Sequence, residues 1–319
     1  MIDFRYHLVS IVSIFLALAV GIVLGAGPLK GDIGTRLTEQ VTALRAEKAQ
    51  LRTDLDASKR EASARDTFTS ALAPAITRNR LSGKTIALVI APGADADLIK
   101  NTSASLLAAG ARVGSTITLT DAWADPAGAA ARNTLAGRFA ALVTAPPKAS
   151  SPDQLAASVL AHAILAGTDR STDRVAPSAS AALAGLEDAD LIEVTPEQII
   201  PSSSAVLVGG TVKGSSEQDT ETRLTAYVQL VGLLDAAGSG VVVATKSTAT
   251  DKTQSADLVA AVRKDSDTVK VASTVDNADL SMGLSTVVLA LEEQYAGNAG
   301  QYGLAADAKA ILPDVEAQN

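Results

Sequence analysis

The chain has 319 residues, 47% of them hydrophobic but only 3% aromatic, with no cysteine and a formal net charge of −8. That length holds an anchor plus one or two globular units. An acidic chain whose one short basic run is Arg78 to Arg80 is a poor nucleic-acid binder, and without cysteine it has neither disulfides nor an exposed thiol to oxidise.

Residues Leu8 to Leu29 read LVSIVSIFLALAVGIVLGAGPL with no charged side chain. About 20 apolar residues at about 1.5 Å each cross a hydrocarbon core of about 30 Å. Ser10 and Ser13 are tolerable there because a helical hydroxyl bonds its own backbone carbonyls, and Phe4 and Tyr6 fall where aromatic rings favour the interface. A cleaved signal peptide has a shorter apolar core of about 7–15 residues and a small-x-small cleavage site; a cut after Ala26 would put the bulky Leu24 in that site. Residues 1–29 are therefore expected to be an uncleaved, single-pass anchor in contact with membrane lipid. Arg5 on one flank and Lys30 and Arg36 on the other do not decide the orientation. The short tail before a signal-like span predicts export of the remainder, with the C-terminal part outside the cytoplasm.

A heptad pattern follows. Leu37, Leu44 and Leu51 recur every seven residues, with Val41 and Leu55 four residues after Leu37 and Leu51, and Lys48 completes the series at an a position. This alternating spacing is the a/d seam of a coiled coil, in which one polar a residue costs stability but fixes register or strand number. Arg36, Glu39, Arg45, Glu47, Arg52, Asp54 and Asp56 occupy the solvated flanks. Pro74 disfavours helical continuation at Ala73, so residues 30–73 are expected to form a stalk. Two partners suit the seam Leu37, Val41, Leu44, Lys48, Leu51 and Leu55: another copy or a partner's helix, or the chain's own globular part.

Beyond Pro74, residues 80–313 read as one α/β domain with a tail at 314–319. Lys84 to Ile90 is a strand ended by Pro92-Gly93. A helix capped by Asp95 or Asp97 runs to about Ala109 and stops at Gly110, and Ala111 to Leu119 returns as a strand, making a βαβ unit. Ala140 to Thr144 is a short apolar run inside an Ala-, Pro- and Gly-rich segment, Ala122 to Ala149, that reads as an insertion. Helices follow at Ser151 to about Ala166 and at Ser178 to Leu186, then strands at Asp190 to Val194 and Ala205 to Val208. A strongly apolar helix covers Thr220 to Ala237 and closes at Gly238. Val241 to Ala244 is a buried strand, Ser255 to Lys264 a helix, Val269 to Ser273 a strand and Ser281 to Tyr295 the last long helix. Strands that are apolar along their length and alternate with helices predict a parallel sheet covered on both faces, a Rossmann-like three-layer α/β fold.

No catalytic constellation is visible. Ser82-Gly83-Lys84-Thr85 lacks the earlier glycine of a phosphate-binding loop and precedes a strand instead of following one. Gly209 to Ser216 follows a strand and precedes a helix, where backbone amides can cradle an anion, but it also reads as a plain connecting loop. The two histidines, His7 and His162, and the two methionines, Met1 and Met282, form no cluster suited to copper. Glu292 and Glu293 diverge on a helix and are expected in solvent. The chain is thus expected to be non-enzymatic, with no cofactor.

Three stretches resemble a known family. MIDFRYHLVSIVSIFLALAVGIVLGAGPL at the start, LSGKTIALVIAPGAD at the domain opening, and STVDNADLSMGLSTVVLALEEQYAGNAGQYGLAADAKAILP near the end are similar to the actinobacterial copper transport protein B (MctB) family. The last includes Thr274-Val275-Asp276 and Tyr302-Gly303 through Pro313. The corynebacterial cell-division protein SteB belongs to the same group. The resemblance spans nearly the whole chain and is most specific at the N-terminus. It implies copper export or pore formation at a mycobacterial outer membrane, or, in its division branch, membrane-anchored partnership with a SteA-like protein in the control of peptidoglycan hydrolysis. Copper enters through this resemblance alone. One apolar helix supplies no aqueous path, so a pore requires oligomers, whereas the residues themselves favour a scaffold of anchor, stalk and exported interaction domain.

Overall fold

The computed structural model describes residues 4–26, 28–143, 152–165, 176–196, 199–246 and 257–314. The chain forms two compact units, Met1–Arg65 and Asp66–Asn319.

Helix α1, Phe4–Ala26, is 23 residues long, and its stretch Phe4–Gly25 is long and apolar enough to cross a membrane. Its large side chains are exposed, among them Phe15, Leu16 and Ile22. Serine hydroxyls that would otherwise be stranded turn inward, as Ser13 does in donating to the Val9 carbonyl at 2.8 Å. Helix α2, Pro28–Thr77, runs for 50 residues and continues through Pro74. Proline has no N–H and crowds the preceding turn, yet tertiary contacts within the second unit hold this end in place. The Asp66 carboxylate accepts the Ser281 N–H at 2.8 Å, Leu81 is fully buried, and the Leu81 N–H reaches the Ala109 carbonyl at 3.0 Å. Arg80 belongs to the same lock: its guanidinium meets Glu292 at 2.8 Å with 14% of the side chain exposed. Neither Arg80 nor Glu292 is therefore a simple solvated charge, and the Glu293 carboxylate accepts the Tyr302 hydroxyl at 2.5 Å.

The rest of the second unit runs β1 (Thr85–Ile90), α3 (Ala96–Ala108), β2 (Arg112–Leu119), α4 (Ala129–Gly137), α5 (Pro152–Ile164), α6 (Pro177–Asp188), β3 (Ile192–Thr195), β4 (Ser204–Val208), α7 (Glu217–Ala237), β5 (Val241–Ala244), α8 (Leu258–Lys264), α9 (Thr268–Val271), β6 (Ser273–Val275), α10 (Ser281–Tyr295) and β7 (Gln301–Tyr302). Asp95 is the residue that caps α3, accepting from the Asp97 and Leu98 N–H groups. Those bonds, the one from Leu98 foremost, hold its carboxyl below the usual carboxylate range. Thr144, Ser151, Ala166 and residues 255 and 256 lie outside the described residues.

The seven strands lie in the order β3-β2-β1-β4-β5-β6-β7. All neighbours are parallel except β3, which runs antiparallel to β2 with Thr116 opposite Thr195 and Leu119 opposite Ile192. The wholly parallel sheet expected from the apolar runs is thus a mixed one. Side chains alternate across the pleat. Ala87, Val89, Ala205, Leu207, Val241 and Val243 enter one core with residues of α5, α6, α7 and α8. Ile86, Leu88, Val206, Val208, Val242 and Ala244 enter the other, with α3 and α10.

Three further expectations change. Val269 to Ser273 is not a strand: Val269 and Val271 lie in the short helix α9, and the strand follows at Ser273–Val275. The Asp265 carboxylate accepts the Thr268 N–H at 2.8 Å and starts that turn. Ala140–Leu142 is a 3-10 turn. Residues 122–143, read as an insertion, contribute to the first core, where Trp123 and Ala136 are buried.

Asp235, in the last turn of α7, has no charged partner among the described residues, and burial pushes its carboxyl up to about 6. A carboxyl that holds its proton more tightly when folded stabilises the fold below its unfolded value of about 3.9. That contribution is lost as pH rises through about 6. The group is only half-buried, which reduces the effect through solvent screening. Asp235→Asn is expected to be more stable than the parent by about 1 kcal/mol at pH 7.5 and indistinguishable from it at pH 3.5, as read from urea unfolding at the two pH values.

Candidate functional site

Three arrangements offer themselves for function. The first is the seam of α2. Leu37, Leu44, Leu51 and Leu55 are exposed by 59%, 63%, 61% and 53%, and Val41 by 37%. Helical rise puts residues three and four apart on one face, so these five side chains and Lys48 form one apolar stripe interrupted by a single ammonium. Local bonds stiffen the helix itself, such as Gln50 to Asp54 at 2.9 Å and Arg65 to Glu61 at 2.6 Å.

The second is a crevice in the α/β unit. β1 has β2 on one side and β4 on the other, so the sheet is wound in opposite directions from that point. In open α/β sheets, ligands bind outside the carboxyl ends of the strands at such a place. The loops after β1 and β4 meet there backbone to backbone: a Cβ on Gly210 would collide with the Gly93 carbonyl oxygen, which is why residue 210 has none. Above them opens a cavity of about 1190 Å³ lined in part by Asp121, Asp125, Lys213, Asp219, Arg223 and Tyr227.

The Gly209 to Ser216 loop does not offer a free anion cradle. Ser216 caps α7 by accepting the Asp219 N–H at 3.1 Å, and the Asp219 carboxylate takes the Ser215 N–H at 2.6 Å and the Ser215 hydroxyl at 2.9 Å. The Gly214 N–H goes to the Thr220 hydroxyl at 2.9 Å. The protein's own carboxylate thus sits where an external anion would. The Ser215 bonds, reinforced by Arg223, hold the Asp219 carboxyl below its ordinary range.

Arg223 ties the crevice wall together, reaching Asp219 at 3.0 Å, Asp125 at 3.5 Å and the Asp121 carbonyl at 3.3 Å. Behind it, Arg132 is buried. It donates to Asp153 at 2.6 Å and to the carbonyls of Ala122 and Asp125 at 2.9 and 2.7 Å, fixing the turns that carry Asp121 and Asp125. Nothing in the sequence singled out Arg132, Arg223 or Tyr227. An arginine four residues after Asp219 on a helix was the only available signal.

The third is a buried charge cluster at the other end of the sheet. Arg263 contacts Asp276 at 2.8 Å and Asp307 at 2.7 Å, the Thr274 hydroxyl at 2.9 Å and the Tyr302 carbonyl at 2.7 Å. Asp276 also accepts the Leu304 N–H at 2.7 Å. A Cβ on Gly303 would collide with the Asp276 carboxylate. The cluster joins β6, α8 and the 301–307 segment, and every one of its charges is consumed in doing so.

His162 bonds the Ser158 carbonyl in its own helix at 2.8 Å. Among the described residues no group of three or more His, Cys, Asp or Glu is placed to hold a metal ion.

Residues 1–313 match the family described as copper transport outer membrane protein, MctB. The curated protein named copper transporter MctB from Mycobacterium tuberculosis is 27% identical over 307 residues, spanning 95% of this chain and 96% of that protein. The protein of that name from Mycobacterium bovis aligns with the same identity and coverage. The one from Mycobacterium leprae is 25% identical over 326 residues, spanning 98% and 99% of the two chains.

Proposed function

Because the chain belongs to the MctB family of copper transport outer membrane proteins, we propose that it is a non-enzymatic, membrane-anchored component of copper export in the cell envelope that acts by assembling copies of itself. Helix α1 anchors it, the α2 seam joins copies as a coiled coil, and the α/β unit lies outside the cytoplasm. The observation that carries this reading is the row of exposed leucines at heptad spacing on α2. Apolar side chains in this register gain by pairing with a second helix, and tethering in a membrane raises their effective concentration. Copper is the cargo here. The chain has no cysteine and only two histidines and two methionines, so a copper path would have to come from the assembly as a whole.

The test is growth on graded copper by cells lacking this chain. The wild-type gene should restore tolerance, and a version lacking residues 4–26 or carrying charged residues in the seam should not. Equal tolerance with and without the chain would remove it from copper handling. The absence of a clustered copper-ligand set among the described residues favours one second reading. In it the same anchor, coiled coil and exported domain form a division scaffold with a SteA-like partner that regulates a peptidoglycan hydrolase. Normal copper tolerance combined with misplaced septa in the deletion strain would support that reading over the first.

A further inference from the structure

The crevice between the loops after β1 and β4 holds polar groups that the fold leaves unused. Tyr227 is 97% buried, with 3% exposed, and lines the cavity, yet its hydroxyl has no hydrogen-bond partner among the described residues. The hydroxyl is not among the polar atoms sealed from solvent without a partner, so it opens onto the crevice, where an entering group can bond it. Asp121 and Lys213 line the same cavity, both exposed, and neither side chain makes a hydrogen bond or ion pair among the described residues. Asp125 and Asp219, by contrast, are taken up by Arg223.

The unused set is one carboxylate acceptor, one ammonium donor and one hydroxyl that does both. Phosphate is poorly matched: three carboxylates face the cavity against two cations, and Asp219 already occupies the anion position at the start of α7. A cation is poorly matched for the opposite reason, with Lys213 and Arg223 in the wall. Hydroxyl groups on a neutral ligand donate to Asp121, accept from Lys213 and do either with Tyr227, so one chemistry satisfies all three. Pro92, Pro126 and Val212 supply apolar surface beside them, as the faces of sugar rings require. At about 1190 Å³ the crevice lies somewhat above the range of roughly 300–1,000 Å³ usual for ligand pockets, which suits an oligomer better than a single ring.

We propose that this crevice binds a neutral saccharide, with Asp121, Lys213 and Tyr227 as its hydrogen-bonding groups.

The chain's one tryptophan, Trp123, lies in the 3-10 turn Asp121–Ala124 that carries Asp121, so its fluorescence reports on that wall. The full chain, held in a detergent without a sugar headgroup, is titrated with maltotriose and with N,N′,N″-triacetylchitotriose. At least one is expected to give a saturable change, with saturation-transfer NMR showing contact to the sugar ring protons. Tyr227→Phe is expected to weaken that binding about fivefold, the loss of one neutral hydrogen bond, with an unchanged melting temperature because the hydroxyl has no partner to lose. Asp121→Asn, at an exposed position, should weaken binding by a similar factor without affecting folding. No saturable response to either sugar, undiminished binding by both variants, or saturation by inorganic phosphate in place of the sugars would each overturn the proposal.

Discussion

Leu44→Asp combined with Leu51→Asp is expected to abolish association of this chain while leaving the α/β unit folded. Both positions are more than 60% exposed, so neither leucine contributes much to the fold of a single copy. Paired in a two-stranded coiled coil, the two positions would bury four leucine side chains, worth roughly 1.5–3 kcal/mol each. That sum is comparable with the roughly 4–15 kcal/mol that association costs in lost freedom, so the seam has little surplus to spare. Replacing each leucine by a carboxylate removes the apolar gain and places like charges opposite one another across a parallel pair. Lys48 supplies the opposite control: Lys48→Leu removes the polar break in the stripe and should strengthen association, at the cost of a looser choice of strand number. Chemical crosslinking of the full chain in membranes and sedimentation in detergent read both changes. If the double aspartate variant crosslinks as well as the parent, the seam is not the interface and the assembly reading fails with it.

What the sequence made legible follows from which signals are local. An uncharged run from Leu8 to Leu29 and leucines at seven-residue spacing are read without knowing the fold. The strands β1, β4 and β5 are also apparent, because buried central strands are apolar throughout. The end of α2 was obscured because the rule for Pro74 is a local one, whereas Asp66, Arg80 and Leu81 oppose it from contacts far along the chain. Val269 and Val271 misled for a related reason: their β-branched side chains favour a strand, but the carboxylate of Asp265 claims the Thr268 N–H and winds the backbone into a turn. The antiparallel strand β3 did carry a clue. Its residues alternate between buried Ile192 and exposed Glu193, the pattern of an edge strand with one wet face. The crevice was invisible because it depends on strand order. Asp121, Lys213 and Tyr227 lie as far as 106 positions apart in the sequence, and each alone is an ordinary residue for its element.

Arg263→Met is expected to destabilise the α/β unit more than any other change considered for it. Arg263 and Asp276 are each 4% exposed at the side chain and 2.8 Å apart. Removing the guanidinium leaves the Asp276 carboxylate buried with only backbone N–H groups from Leu304 and Ala305 for company. Breaking a buried pair in this way costs about 3–5 kcal/mol, which for a domain of this size is a fall of about 10 °C in Tm. The loss should not be symmetrical across the cluster. Asp307 is 48% exposed, so Asp307→Asn should cost no more than about 1 kcal/mol. Replacing both buried partners, Arg263→Met with Asp276→Asn, removes the stranded charge, while the amide oxygen introduced at position 276 can still accept from the Leu304 N–H. The double variant should therefore recover a substantial part of the stability lost by Arg263→Met alone. Thermal unfolding of the parent, Arg263→Met, Asp276→Asn and the double variant measures the coupling directly. Hydrogen exchange locates it, because Arg263 also holds the Tyr302 carbonyl: amides from Gln301 to Ala305 should lose protection first. A double variant no more stable than Arg263→Met would mean that the ion pair does not hold the 301–307 segment in place. The collision avoided by Gly303 beside Asp276 would then stand as the stronger constraint on how that segment passes the end of β6.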